Sequence, residues 1–368
     1  MRLIKLHARM FRNIDDTTIS FGPRFNIFHG DNAQGKTNLL EAIFLLGTIK
    51  SFRMAKNVDL INWSDSTGLL RGWVDRDGVT REISLLLEKH GKKVTIDRKS
   101  VSRLSDFFGN LNVVIFSPEE MGMVRGTPEV RRRYLDRAVF SSDLTYLRLY
   151  HEYGKILKNR NTLLRTGATA SLDVWTEQLA EAGSRMMNSR LQYLESINPL
   201  LNGFYGEIAG KPEQVEIRYR PHAFRGETGE ADTRERLLGT LQAHAAEERR
   251  RGTTLAGPHR DDLDFILDGK LLKHHASQGQ QRSFILALKM AEIEYLRNRY
   301  MVPPVLLLDD MTSELDRSRN RNLMSFLDKR NMQVFITTTN LQNIMLDDID
   351  NYPAFRIEAG KVVHEGNK

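Results

Sequence analysis

The chain has 368 residues, 40% hydrophobic and 27% charged, with a formal net charge of +7 and no cysteine. This is the composition of a globular protein with room for two domains, and it excludes disulfides and thiolate metal centres. No apolar run approaches the roughly 18 residues of a membrane span, and Arg2, Lys5, His7 and Arg9 break up the opening segment where a signal peptide would be apolar. A cytoplasmic protein with no membrane partner is therefore expected. The ten histidines show no metal-ligand spacing, and His274-His275 reads as solvated or structural.

Taken in order, residues 1–29 read as two strands, Leu3 to Phe11 and Arg24 to His29, joined through turn signals at Asp15-Asp16 and Gly22-Pro23. After the second strand comes Gly30-Asp31-Asn32-Ala33-Gln34-Gly35-Lys36-Thr37, then an apolar helical pattern running to about Leu46. Strand, glycine loop and helix in this order form the context of a phosphate-binding loop. Its backbone N–H groups and the helix dipole cradle phosphates. Lys36 supplies a point charge at the β/γ-phosphates, and the Thr37 hydroxyl holds Mg²⁺.

Leu69 to Val74, Val79 to Leu87 and Lys93 to Ile96 form a meander with hairpin turns at Asp77-Gly78 and His90-Gly91. Leu111 to Phe116 is a buried strand ended by Ser117-Pro118. From Glu129 the pattern turns helical: Arg131 to Val139, Leu144 to Arg165 and Leu172 to Phe204. Between Arg125 and Arg165 stand ten Lys/Arg and four Asp/Glu, a net of +6 that leaves +1 for everything else. Such a segment beside a nucleotide site suggests a polyanion, most simply nucleic acid. Arg131, Arg132 and Arg133 are its candidate contacts; the alternative is that they pair internally with Asp136 and its neighbours.

Val215 to Tyr219 alternates as a short strand, Gly226 to Thr233 reads as a mobile loop, and Arg234 to Arg251 as one helix closed by Gly252. Leu263 to Lys273 reads as a hairpin about Asp268-Gly269. Ser283 to Arg299 is an amphipathic helix with Phe284, Leu288, Ala291 and Tyr295 on one face. Val305 to Leu308 is a buried strand that delivers Asp309 and Asp310 at its carboxyl end, where open α/β sheets bind ligands. Asp309 is placed to hold Mg²⁺ through water, and Asp310 to orient or deprotonate the attacking water. Arg319 to Lys329 is a helix, Gln333 to Thr337 a buried strand, and Phe355 to His364 a hairpin about Gly360-Lys361.

Ser277-Gln278-Gly279-Gln280-Gln281 opens the long helix as a second anion-binding terminus, which a single chain does not need for one triphosphate. Ser313-Glu314-Leu315-Asp316 follows the paired acids. Phosphate loop, long insertion, Ser-x-Gly-x-Gln, acid-tipped strand and Ser-x-Leu-Asp loop stand in an order that resembles the ABC-type ATPase heads of the structural maintenance of chromosomes class. Asn38 after Lys36-Thr37, and Phe11-Arg12-Asn13, look like that class too. Phe116 to Glu120, Arg131 to Asp136, Ala256 to Asp262 and Ser277 to Arg282 sharpen the resemblance to the RecF family of bacterial recombination proteins.

The resemblance implies an α/β fold: a P-loop ATPase head, with a mixed sheet plus an antiparallel β portion, and an inserted mainly helical arm. The head would span 1–120 and 255–368, and the arm 121–254. It implies nucleotide contacts from Gly30 to Asn38 and from Arg12. Ser277, Gly279, Gln280 and Asp316 would act on ATP held by a second copy in an ATP-dependent homodimer. It also implies a weak, DNA-stimulated ATPase acting at single-stranded, gapped or duplex DNA with RecR and RecO. Such proteins help RecA load and are linked to replication restart and the SOS response. Two departures stand out. Asp310 replaces the usual Glu, consistent with slow turnover, and Thr337-Thr338-Thr339 replaces the usual His. The magnesium-contacting Gln of the wider class has no clear counterpart; Ser117 to Glu119 occupies its region. A metabolic P-loop kinase or a transporter-energising ATPase is the competing class, and a protein that binds ATP without hydrolysing it a third. The Ser277 turn argues against a kinase, and the long basic insertion against a transporter head.

Overall fold

The structure is a computed structural model and describes residues 1–168, 171–223, 233–310, 317–341, 344 and 352–367. In chain order the strands are β1 (Arg2–Phe11), β2 (Ile14–Ser20), β3 (Phe25–His29), β4 (Thr67–Arg76), β5 (Val79–Glu88), β6 (Gly91–Ile96), β7 (Lys99–Ser100) and β8 (Val113–Phe116). They continue as β9 (Val215–Arg220), β10 (Asp262–Leu267), β11 (Lys270–Leu271), β12 (Val305–Leu308), β13 (Val334–Thr338), β14 (Pro353–Glu358) and β15 (Lys361–Asn367). The chain divides into two compact units, 1–121 with 288–368, and 122–287.

The first unit holds two six-stranded sheets. One is antiparallel throughout, in the order β2-β1-β4-β5-β6-β7. The other runs β15-β14-β3-β13-β12-β8; all its pairings are parallel except that of β15 with β14. The helix Lys36–Thr48 packs with both: Leu39, Leu40, Ile43, Leu45 and Leu46 share one core with Leu6, Leu70 and Leu85 of the antiparallel sheet and Ile115, Leu307 and Phe335 of the parallel one. A helix apolar all round is what a position between two sheets demands. Because β3, β8, β12 and β13 are parallel, their carboxyl ends come together, and these ends carry Gly30, Ser117, Asp309 and Thr338.

In the second unit, the helices Pro128–Ser142, Leu144–Thr166 and Leu172–Ala209 pack together, the first against β10 and the last against β9 of the three-stranded sheet β11-β10-β9. The return to the head, expected at residue 255, comes later, at Leu288. The reason is strand pairing: β10 takes β9 as its antiparallel neighbour from Asp262↔Arg220 to Leu267↔Val215. The helix Gln278–Tyr300 begins in this unit and ends in the first.

Three local expectations are corrected. Asp15-Asp16 lies inside β2 rather than in a turn; the chain reverses instead at Arg12-Asn13, with Arg12 at φ +54°. The helix expected over 234–251 is two, Thr233–Ala243 and Ala245–Arg251, meeting at His244. The helix at 283–299 is not amphipathic where it matters: every residue from Ser283 to Ile293 is buried. The loop expected at Gly226 to Thr233 lies outside the described residues except for Thr233.

Candidate nucleotide site

The phosphate loop leaves β3 at Gly30, whose φ of +140° suits only glycine, and a Cβ there would lie 2.6 Å from the Ile357 carbonyl oxygen. Asp31, Asn32 and Ala33 are exposed at the loop tip, with Ala33 at φ +63°. Gln34 anchors the far side. It accepts from Gly360 N–H through its carbonyl (2.8 Å) and from Ala359 N–H through its side-chain oxygen (2.7 Å). Asn13 completes the support, donating to the Gln34 carbonyl (3.2 Å) and accepting from the Asn38 amide (2.8 Å). The loop is thus framed by β1–β2 on one side and the β14–β15 turn on the other.

Lys36 donates to the carbonyls of Gly30 (2.6 Å) and Asp31 (2.7 Å), so its ammonium sits inside the loop's ring of backbone groups. Burial pulls its pKa below the ordinary lysine value, against the opposing pull of Asp310, Asp309 and Asp31. Asp309 is 5% exposed, and its Oδ1 accepts from both Thr37 Oγ1 and Thr337 Oγ1 at 2.8 Å. Thr337 Oγ1 in turn accepts from the Asp310 backbone N–H (2.9 Å). The threonine that stands near the position of the usual His therefore organises both acids from behind. Asp310, half-buried, adopts φ +50°.

A hydroxyl and a carboxylate oxygen 2.8 Å apart beside a phosphate loop are the hard donors Mg²⁺ takes, with phosphates and water completing its shell. Ser117 adds a buried hydroxyl with no hydrogen-bond partner among the described residues, at the carboxyl end of β8, next to β12. The donor set fits the ion.

Arg12 is held differently from the loop residues. Its guanidinium makes a bidentate pair with Glu41, which is fully buried, at 2.9 and 3.0 Å, and donates to the Asp59 carbonyl at 2.7 Å. It braces the helix behind the loop. Sequence reasoning passed over Thr337 as an organiser of the acids and Asn13 as a brace; the motif Phe11-Arg12-Asn13 carried the signal for the second.

The Ser277 turn lies in the second unit. Ser277 and Gln278 are exposed, and Gly279 and Gln280 half-exposed. Ser277 and Gln280 cap each other: Gln280 N–H donates to Ser277 Oγ (3.2 Å) and Ser277 N–H to Gln280 Oε1 (2.8 Å). Gln280 Nε2 donates to Glu213 Oε1 (3.0 Å), whose other oxygen accepts from the Tyr205 hydroxyl (2.9 Å). Asp316 and the rest of its loop, and the side chain of Glu119, lie outside the described residues.

The candidate DNA arginines are largely committed to the fold. Arg131, 4% exposed, makes a bidentate pair with Asp262 at 2.8 and 2.9 Å, and Arg132 donates to the Asp261 carbonyl (2.7 Å). Arg133 pairs with Glu129 on the surface. Internal pairing is obligatory for Arg131, because a buried guanidinium without a partner is prohibitively costly, whereas Arg133 makes only a solvent-exposed pair. Asp136 serves Arg190 instead (2.7 Å), in a buried cluster with Tyr146, Tyr219 and Asp261. Burial raises the Asp261 carboxyl above its ordinary range. The neighbouring His259 is driven down to about 4, chiefly by burial; its Nδ1 accepts from the Tyr153 hydroxyl at 2.6 Å.

Comparison with known proteins gives one consistent picture. The model of the RecF/RecN/SMC N-terminal domain family matches residues 2–361. A protein of Geotalea uraniireducens described as "DNA replication and repair protein RecF" is 60% identical over 364 residues, covering 99% of this chain and all of that one. Its counterpart in Geobacter sulfurreducens is 56% identical over 362 residues, covering 98% and 99% of the two chains. Among solved structures, one described as "recombination mediator protein RecF-ATP in RecFOR pathway" superposes with a TM-score of 0.89 at 32% identity, covering 100% and 99%. An Smc head domain from Pyrococcus furiosus superposes at 0.57 with 14% identity over 100% and 96%, a likeness of fold.

Proposed function

The chain belongs to the RecF branch of the RecF/RecN/SMC family and has the SMC-like ABC ATPase head fold with a helical arm, and on that premise we propose an ATP-switched DNA-binding protein of recombinational repair. The observation that carries the reading is the convergence of Lys36, Thr37, Asp309 and Thr337 at the carboxyl ends of parallel strands beside a glycine loop.

In this reading the N–H groups of residues 30–38 and the Lys36 ammonium hold the triphosphate of ATP. Thr37 and Asp309 would hold Mg²⁺, which when bound neutralises phosphate charge. Asp310 orients the attacking water, with its backbone fixed by Thr337. Being one methylene shorter than Glu, Asp310 suits slow, DNA-stimulated turnover used to reset a switch. The exposed Ser277 and the half-exposed Gly279 read the γ-phosphate held by a second copy, with Gln280 keeping the turn in shape and Asp316 acting across the same junction. ATP therefore drives homodimerisation. Membership of the solved relative in the RecFOR pathway supports RecR and RecO as partners at gapped, single-stranded or duplex DNA, upstream of RecA loading, replication restart and the SOS response.

The test is sedimentation with and without ATP. Lys36→Ala is expected to lose ATP affinity and the ATP-induced dimer together, while Asp310→Asn accumulates the dimer by blocking hydrolysis. A wild-type chain that binds ATP yet sediments as a monomer at every ATP concentration would overturn the shared-nucleotide reading and favour the kinase class.

A further inference from the structure

The basic segment between Arg125 and Arg165 contains more than one population of side chains. Arg131 and Arg160 are buried and paired, Arg160 with Glu248 at 2.6 Å. Arg160 apart, the helix Leu144–Thr166 carries four further Lys/Arg (Arg148, Lys155, Lys158 and Arg165) and a single acid, Glu152. At 100° per residue, Arg148, His151, Lys155, Lys158, Thr162 and Arg165 fall within about 100° of arc. All six are exposed. Tyr146, Leu149, Tyr153, Ile156, Arg160 and Leu164, on the opposite arc, are buried. None of Arg148, Lys155, Lys158 and Arg165 has an ion pair among the described residues, and the Arg165 guanidinium donates to Thr162 Oγ1 at 3.4 Å. Glu152 lies at the edge of the stripe, about 40° from Arg148.

The stripe is about 26 Å long from Arg148 to Arg165, at 1.5 Å per residue. At its Arg165 end Gly252 packs so closely that a Cβ would lie 2.9 Å from Arg165 Cγ, which brings the carboxyl end of the helix Ala245–Arg251 up to it. A single-sign row with no exposed apolar side chain in it has nothing to insert into a lipid surface, and the apolar arc of the helix is already used by the protein. Nor does it present the aromatic anchors that a protein partner would fill.

We propose that this helix face is a track for the phosphate backbone of nucleic acid, with Arg148, Lys155, Lys158 and Arg165 as the phosphate contacts. The inference rests on the DNA-binding reading above and names the surface within it. These contacts position the backbone and read no bases, so they contribute affinity that depends steeply on salt.

The test compares the salt dependence of DNA binding for the full-length chain and the triple variant Arg148→Gln, Lys155→Gln, Lys158→Gln. A second triple variant of equal charge change on the antiparallel sheet, Lys89→Gln, Arg98→Gln, Lys99→Gln, is the control. The stripe variant is expected to lower the slope of log K against log salt by about 2.7 on duplex DNA or about 2.1 on a single strand, at 0.9 or 0.7 per contact. That difference separates the two substrates. The control should leave the slope close to wild type, and Arg148→Lys, Lys155→Arg, Lys158→Arg should retain it. Wild-type binding with an unchanged slope in the stripe variant, or equal losses in both triples, overturns the track. Absence of DNA binding by the wild-type chain overturns the DNA reading itself, and wild-type circular dichroism and thermal unfolding of all variants report that each is folded.

Discussion

Arg12 shows how a single residue's role follows from what it touches. Its guanidinium satisfies a carboxylate with no solvent exposure, Glu41, which also accepts from Ser51. Removing the arginine leaves that charge buried and unpaired. Arg12→Ala is expected to destabilise the chain by about 3–5 kcal/mol, and the paired change Arg12→Leu with Glu41→Met to recover most of it. Chemical denaturation of the two variants checks this; unchanged stability in the single variant would mean that Arg12 serves the nucleotide rather than the helix. The loop residues themselves were legible in the sequence because their chemistry is local: Gly30, Gly35, Lys36 and Thr37 lie within eight positions. Glu41 as the partner of Arg12 was not, since nothing within one helix distinguishes a buried acid from a solvated one.

At the level of elements, the start of the helix Gln278–Tyr300 is an exposed turn held from behind. Gln280 is clamped by Glu213, and Glu213 by Tyr205, residues 67 positions apart in the first case. Glu213→Gln places an amide where Gln280 and Tyr205 both need an acceptor. We expect it to weaken ATP-dependent dimerisation about tenfold, the value of one lost hydrogen bond, while ATP affinity of the single chain is unchanged. Equilibrium sedimentation beside nucleotide titration separates the two; equal losses in both would place Glu213 in the general stability of the unit. The same element shows where periodicity misleads. Phe284, Leu288 and Ala291 suggested one apolar face, yet Ile285, Leu286, Ala287, Met290 and Ile293 are buried as well. Burial on both sides is a tertiary fact, invisible to a count of spacings. The strands fared better where both flanks carried turn residues, as with β4 and β5 around Asp77-Gly78 (φ +54° and +83°). The pairing of β9 with β10, which moved the unit boundary, joins segments separated by the two helices after β9 and carries no local signature.

Across the whole molecule, pH acts through the buried cluster of the second unit. His259 is neutral when folded, accepting from Tyr153, and is held near 4 against an ordinary value of 6.5. The unfolded chain takes up its proton first as pH falls. The stabilisation is therefore complete above about pH 6.5 and is lost on the way to pH 4, to a total on the order of 3 kcal/mol. Denaturation midpoints across that range should fall with acid, and His259→Gln should flatten the dependence by one proton. A second long-range feature bears on synthesis. The loop that opens at Gly30 leans on Ile357, Ala359 and Gly360, where Gly360 sits at φ +78° and a Cβ would collide with the Asn13 carbonyl. A nascent polypeptide carries its nucleotide motif out of the ribosome early, but the buttress for that motif is translated more than 300 residues later. A prematurely terminated product lacking β14 and β15 would thus display the motif without its support, and is expected to capture ATP more weakly than the full chain.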